Sequence, residues 1–345
     1  MTGSREAFLR GAFARLHAAS LPYCVSRNVA DLYQSTTSDV DLVVLPDAKD
    51  RIERILTEEA APHGYSLIAR NEFTNRCLVY WAPGADFVRI DLDGELRWLV
   101  FEIADASTLL ESAAPHDGVN LICPTREILV MADRLAWQGS LPAKYKRRVT
   151  ELLHGQGSTP VSPESRLHGF LRREDATGLR LHLIRSALLN PHLGCRAMIH
   201  AVRDMVRMAR RLLSPPGVFI SVSAENDTIA WMELFRTMSM AFPESKCGRI
   251  GRFPWTGLLG LFRGGIVVAG HGHPVTDRIC ALFSSRRRRF RITTADTGRA
   301  CDLAVPQGIT SAVEFADILA NALATRSPRA KAEEEPKIRR QISQN

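Results

Sequence analysis

The chain has no Cys-x-x-Cys, although it carries seven cysteines, at positions 24, 77, 123, 195, 247, 280 and 301. Scattered single thiols exclude a disulfide framework and a zinc-ribbon site, and they predict reduced, mostly buried cysteines. No apolar run approaches the length of a transmembrane helix, and no secretory apolar segment stands at the amino terminus. A soluble, cytoplasmic protein without membrane partners is the expectation. Aromatic residues are few, 7% of the chain, and only Phe290 stands beside the arginine run Arg286 to Arg289. Without interleaved rings, stacking on bases has little support, so a nucleic-acid partner is weakly indicated.

What is present is size, charge and patterning. The 345 residues suggest two domains, and 45% hydrophobic residues suffice for ordinary cores. A net charge of +8 suits a polyanionic partner such as a nucleotide. Much of the excess lies in Arg286 to Arg289 and in Arg203 to Arg211, and runs of this kind are more often solvated faces than binding sites.

The most informative stretch is Ser38-Asp39-Val40-Asp41-Leu42-Val43-Val44. Alternation of acid and apolar residues predicts a strand, in which Asp39 and Asp41 project to one side while Val40 and Leu42 enter a core. Two adjacent carboxylates repel each other unless a cation lies between them. Hard divalent ions favour such oxygen-rich settings, and phosphoryl and nucleotidyl transfer commonly need them. The same alternation returns fifty residues later in Phe87-Val88-Arg89-Ile90-Asp91-Leu92-Asp93. Asp91 is the expected third acid, because Val88, Ile90 and Leu92 then share the core side. Asp93, followed by Gly94, is assigned to a turn.

Elsewhere the pattern predicts a helix over 4–19, a strand at Pro22 to Val25, and a helix over 47–62 with Asp47 as its cap. Strands follow at Ser66 to Ala69, Arg76 to Trp81 and Phe87 to Asp91. The segment from Ser107 to Leu153 reads as mainly helical. Turn formers at 154–164 mark a boundary, and a helical connector runs from 165 to 213 until Ser214-Pro215-Pro216-Gly217 stops it. A second α/β region opens with a strand at Val218 to Val222, a helix at 228–241 and a strand at Gly265 to Ala269, and ends in a helix at 311–324. Residues 326–345 read as a disordered tail. The domains expected are therefore 1–153, the connector 165–213, 214–325, and the tail. His271 and His273 invite a metal reading, yet no third ligand stands near them in the sequence.

Ser38-Asp39-Val40-Asp41-Leu42 and Ile90-Asp91-Leu92, with the strand order around them, resemble the nucleotidyltransferase superfamily of polymerase beta-like fold. The resemblance covers about the first 150 residues. It implies an α+β domain with a mixed sheet, Asp39 and Asp41 as ligands of Mg2+ (or Mn2+), and Asp91 completing the metal site or taking the acceptor's proton. A nucleoside triphosphate is the implied substrate. Where the family carries Gly-Ser to hold the triphosphate, this chain reads Val25-Ser26-Arg27-Asn28, so Ser26, Arg27 and Asn28 are the implied donors. Pro142-Ala143-Lys144-Tyr145-Lys146-Arg147 resembles a basic element that follows this domain in related proteins, with Lys144 or Lys146 set to neutralise phosphate.

The second half resembles a thymidylate-kinase-like P-loop domain. After its first strand the sequence reads Ser223-Ala224-Glu225-Asn226-Asp227-Thr228, without the glycines and lysine of a phosphate cradle. Gly270-His271-Gly272-His273 stands where an Asp-Arg pair is expected. These departures imply a degenerate fold without kinase activity. The expected function is metal-dependent transfer of a nucleoside monophosphate to an acceptor hydroxyl whose identity the sequence does not give. The alternative is a non-catalytic interaction or regulatory protein with remnants of both folds. Oligomeric state is open.

Overall fold

The structure, a computed structural model, describes residues 3–27, 32–33, 39–72, 75–111, 113–155, 164–213, 218–223, 236–238, 266–269, 289–293, 303–304 and 312–325. The predictions for Asn28, His271, His273, Arg286 to Arg288, most of the 228–241 helix, the segment after Ser223 and the tail lie outside the described residues.

Helix α1 (Gly3–Ala18) leads into strands β1 (Tyr23–Val25) and β2 (Val40–Val44), then α2 (Lys49–Ala60). Three longer strands follow: β3 (Ser66–Glu72), β4 (Arg76–Ala82) and β5 (Asp86–Asp93). A small hairpin, β6 (Glu95–Trp98) and β7 (Phe101–Asp105), comes next, with short α3 (Ala106–Leu110) and a second hairpin, β8 (Ala114–His116) and β9 (Val119–Leu121). Five helices continue: α4 (Pro124–Gln138), α5 (Ala143–Gly155), α6 (Glu164–Arg173), α7 (Ala176–Leu189) and α8 (Pro191–Leu213). Strands β10 (Val218–Ser223), β11 (Ile266–Ala269), β12 (Arg289–Thr293) and β13 (Leu303–Ala304) and helix α9 (Ala312–Thr325) complete the described elements.

The fold is mixed α/β. A seven-stranded mixed sheet has the order β3-β4-β5-β2-β1-β9-β8. Strand β1 runs antiparallel to β2, whereas β2 and β5 are parallel. By compactness the chain forms two units. The first comprises Met1–Glu59, Glu72–Arg76 and Ile90–Val206, and the second Ala60–Asn71, Cys77–Arg89 and Arg207–Asn345.

In the first unit, α1 buries Phe8, Leu9, Ala12, Phe13 and Leu16, a spacing that lines one helical face. Phe13 stacks on Tyr23 of β1, with ring centroids 5.5 Å apart. A second core gathers around α4, which buries Ile128, Leu129, Val130, Met131, Ala132, Leu135 and Ala136. Pro124 opens this helix, where its missing N–H costs nothing. Gly139 closes it with φ 80°, and its N–H reaches Leu135 O at 3.0 Å. Each fully buried Leu or Ile here contributes roughly 1.5–3 kcal/mol.

In the second unit, β11-β10-β12-β13 form an all-parallel sheet. Its strands Val-Phe-Ile-Ser-Val-Ser and Ile-Val-Val-Ala are the near-continuous apolar runs that parallel strands require. Asp317 of α9 closes the β4–β5 turn, accepting from Trp81 Nε1 at 2.8 Å, Gly84 N at 2.8 Å and Ala85 N at 3.3 Å.

The segment from Ser107 to Leu153 is mainly helical, in α3, α4 and α5, with the β8–β9 hairpin set between the first two. Two expectations need correction. Helix α2 begins at Lys49, so Asp47 stands outside it and is exposed. Asp93 is no turn residue: it is the last residue of β5, paired across the sheet with Val43.

Candidate active site

The acids come together through strand register. In the parallel β2–β5 pair, Asp41 stands opposite Asp91, and Val43 opposite Asp93. Residues in register across neighbouring strands point to the same face and lie about 5 Å apart, and Asp91 and Asp93 share that face as i and i+2. Val40, Leu42, Ile90 and Leu92 fill the other face and are fully buried. Asp41 and Asp91 are themselves buried, at 1% and 5% exposure. Asp39 stands one residue ahead of β2 and is half-buried.

The loop after β1 supplies the cation. Ser26 is buried, and its N–H and hydroxyl both donate to the Asp41 carbonyl, at 3.0 and 3.4 Å. That anchor sets Arg27 over the acids, where its Nη2 pairs with Asp41 Oδ1. Burial works against the charge on Arg27, but Asp41 and Asp93 outweigh it and keep the guanidinium firmly protonated. Burial raises the Asp41 carboxyl above its ordinary value, helped by repulsion from Asp91 and opposed by Arg27. Asp93 is pushed up to about 8, by burial first and then by the charge of Asp41, with Asp91 and Asp133 adding to it.

Helix α4 covers this face. A cavity of about 170 Å3 lies there, lined among others by Ser26, Arg27, Asp93, Arg97, Asp133 and Trp137. Burial carries Asp133 up to about 7. Its neighbour Arg134 lies over the Tyr145 ring at 4.4 Å, and burial and the charge of Arg27 hold its pKa below the ordinary value. From the other side comes Lys49, at the start of α2. A Cβ added at Gly94 would stand 3.2 Å from its Nζ, so Gly94 makes room for the ammonium. Burial lowers the Lys49 pKa, while Asp93, Glu72 and Glu95 oppose the shift.

The two lysines singled out in the sequence do other things. Lys146 pairs with Glu174 at 2.9 Å and lines a separate cavity of about 400 Å3 with Val149, Leu153 and Leu171. Lys144 lies over the Tyr145 ring at 4.9 Å. Tyr145, between them, is the residue that turns inward and is buried. Sequence reasoning missed Asp93, Lys49, Asp133 and Arg134. The signal for the last two was an acid and a base inside the apolar run Ile128-Leu129-Val130-Met131-Ala132-Asp133-Arg134-Leu135-Ala136.

The donor chemistry fits a hard divalent ion, because every candidate ligand is a carboxylate oxygen. The placement is another matter. Among the described residues, no three His, Cys, Asp or Glu side chains are set to enclose a metal ion. Arg27 holds Asp41 in the role a cation would take. Also among the described residues, no helix is long and apolar enough to cross a membrane.

No protein-family model, curated protein or solved structure matches this chain.

Proposed function

We propose that the first unit is a nucleotidyltransferase that moves a nucleoside monophosphate from a nucleoside triphosphate to an acceptor hydroxyl, with Mg2+ (or Mn2+) as cofactor. The observation that carries this reading is the parallel β2–β5 register, which sets Asp41 beside Asp91 with Asp93 two residues on. Asp41 and Asp91, with Asp39 just ahead of β2, are the residues that would hold the ion. When bound, the ion supplies neutralisation of the charge on the transferring phosphoryl group.

The protein's own groups do the rest. Asp91 orients the acceptor hydroxyl and takes its proton. Arg27 and Lys49, the cations at the acidic cluster, neutralise phosphate oxygens, and Arg27 exchanges its ion pair with Asp41 for one with the triphosphate. Ser26 fixes the loop that carries Arg27. The second unit is read as a P-loop-like domain without kinase activity. Its parallel sheet supports the fold, and the missing glycines and lysine after Ser223 support the loss of chemistry.

Pyrophosphate release from nucleoside triphosphates in magnesium tests the proposal. Asp41→Asn should cost several kcal/mol of transition-state stabilisation, on the order of a thousandfold in rate. Equal rates in parent and variant would sink the mechanism.

A second reading, a non-catalytic interaction protein, is favoured by one observation: Asp41 is already compensated by Arg27. Titration with magnesium and nucleoside triphosphates separates the two. The absence of both binding heat and a thermal shift would support the interaction protein.

A further inference from the structure

Helix α8 is amphipathic the wrong way round. Its polar side faces the protein: Asp204 accepts two hydrogen bonds from the buried Arg97, at 2.7 and 2.8 Å. One turn earlier, His200 is buried within 3.5 Å of both Glu95 and Glu102. A turn before that, Arg196 pairs with Glu102 and lies 3.4 Å from Asp105. Positions 196, 200 and 204 form one stripe, docked by charge onto the β6–β7 hairpin. The opposite stripe is apolar and faces outward. Cys195, Met198, Ile199, Val202, Met205 and Val206 are all exposed, Met198 by 70% and Met205 by 63%.

We propose that this stripe pairs with the same stripe on a second copy of the chain. Its spacing is the first reason. Cys195, Met198, Val202 and Met205 recur at alternating intervals of three and four, and the sequence carries the period on through Ala209 and Leu212. That is the seam along which two helices interlock side chains. A bilayer asks for no seam, and α8 has no Trp, Tyr or Phe to anchor it at a membrane boundary. Charge is the second reason. The stripe itself carries none, with Arg203 and Arg210 along one edge, so its centre calls for no charged partner and complements itself. Area is the third. Five large side chains at roughly half exposure offer on the order of 100 Å2 each. The later turns carry the stripe toward the roughly 800 Å2 per partner that a stable dimer buries.

Sedimentation velocity on the full chain tests this, over protein concentrations from about 1 to 100 µM, the range that weak to moderate dimers span. A dimer is expected, and the double variant Val202→Asp, Met205→Asp should sediment as a monomer with an unchanged circular dichroism spectrum. Alkylation of Cys195, read by mass spectrometry, needs no variant. Its rate should fall about tenfold as wild-type protein passes from monomer to dimer with concentration. A wild-type chain that stays monomeric, or a well-folded double variant that stays dimeric, would overturn the proposal. So would a monomer that cosediments with anionic phospholipid vesicles, which would assign the face to a bilayer.

Discussion

Asp93→Asn isolates the electrostatic cost of gathering acids on one sheet face. Burial and the Asp41 charge push the Asp93 carboxyl up to about 8 from an ordinary value of 3.8. The native state therefore holds a proton that the unfolded chain has already released, and stability falls as pH rises between those two values. The sign follows from proton counting: below about pH 4 both states are protonated, and above about pH 8 both are ionised, with the native state bearing the full penalty. From about pH 5 to about pH 9 the loss attributable to Asp93 is about 4 kcal/mol, since each pKa unit is worth ~1.4 kcal/mol. Asparagine keeps the shape and cannot ionise. Urea unfolding across that range, on parent and variant, reads the difference directly. The variant should lose less stability on going to alkaline pH and be the more stable protein at about pH 8 or above. Asp133, raised to about 7 by burial, gives both proteins a common slope that cancels in the comparison. Parallel pH curves for the two proteins would refute the reasoning.

Other perturbations reach other parts of the account. Arg27→Gln leaves the buried Asp41 without its partner, and unfolding at neutral pH should show a loss of about 3–5 kcal/mol. In the double variant Arg27→Gln, Asp41→Asn the loss should be smaller than the sum of the single losses, because the two side chains share one interaction. Leu135→Ala opens a cavity beneath α4, where Leu135 is fully buried; chemical denaturation should register a loss of 2–5 kcal/mol, that is, about the range of other buried Leu→Ala changes. Asp317→Ala removes the acceptor for Trp81 Nε1 and two backbone N–H groups. Hydrogen exchange at Gly84 and Ala85 should quicken, with a local cost of about 1–3 kcal/mol.

How far the sequence disclosed this arrangement depends on the distance over which each feature is determined. Strands β2 and β5 were legible because acid and apolar residues alternate within a few positions, and that alternation also named Asp41 and Asp91. The register that sets them side by side is a pairing across fifty residues, which local pattern does not encode. Asp93 was misassigned because Gly94 reads as a turn, although β5 runs to the residue before it. The β6–β7 hairpin was missed because its apolar positions are interspersed with Glu95, Arg97 and Glu102. Those charges look solvated in sequence and are instead the groups that hold α8. Arg27 was named as a phosphate ligand. Its pairing with Asp41 depends on β1 lying antiparallel to β2, which no short motif states. Which side of α8 turns inward was not legible either, since amphipathic periodicity fixes two faces without saying which is inward.

Binding of Mn2+, added with a nucleoside triphosphate and followed by electron paramagnetic resonance, is the most direct measurement of the central claim. The account predicts an ion bound one to one by the parent chain, and loss of that binding in Asp41→Asn and in Asp91→Asn. An ion signal that stays free with the parent protein, or binding equally tight in both variants, would contradict it.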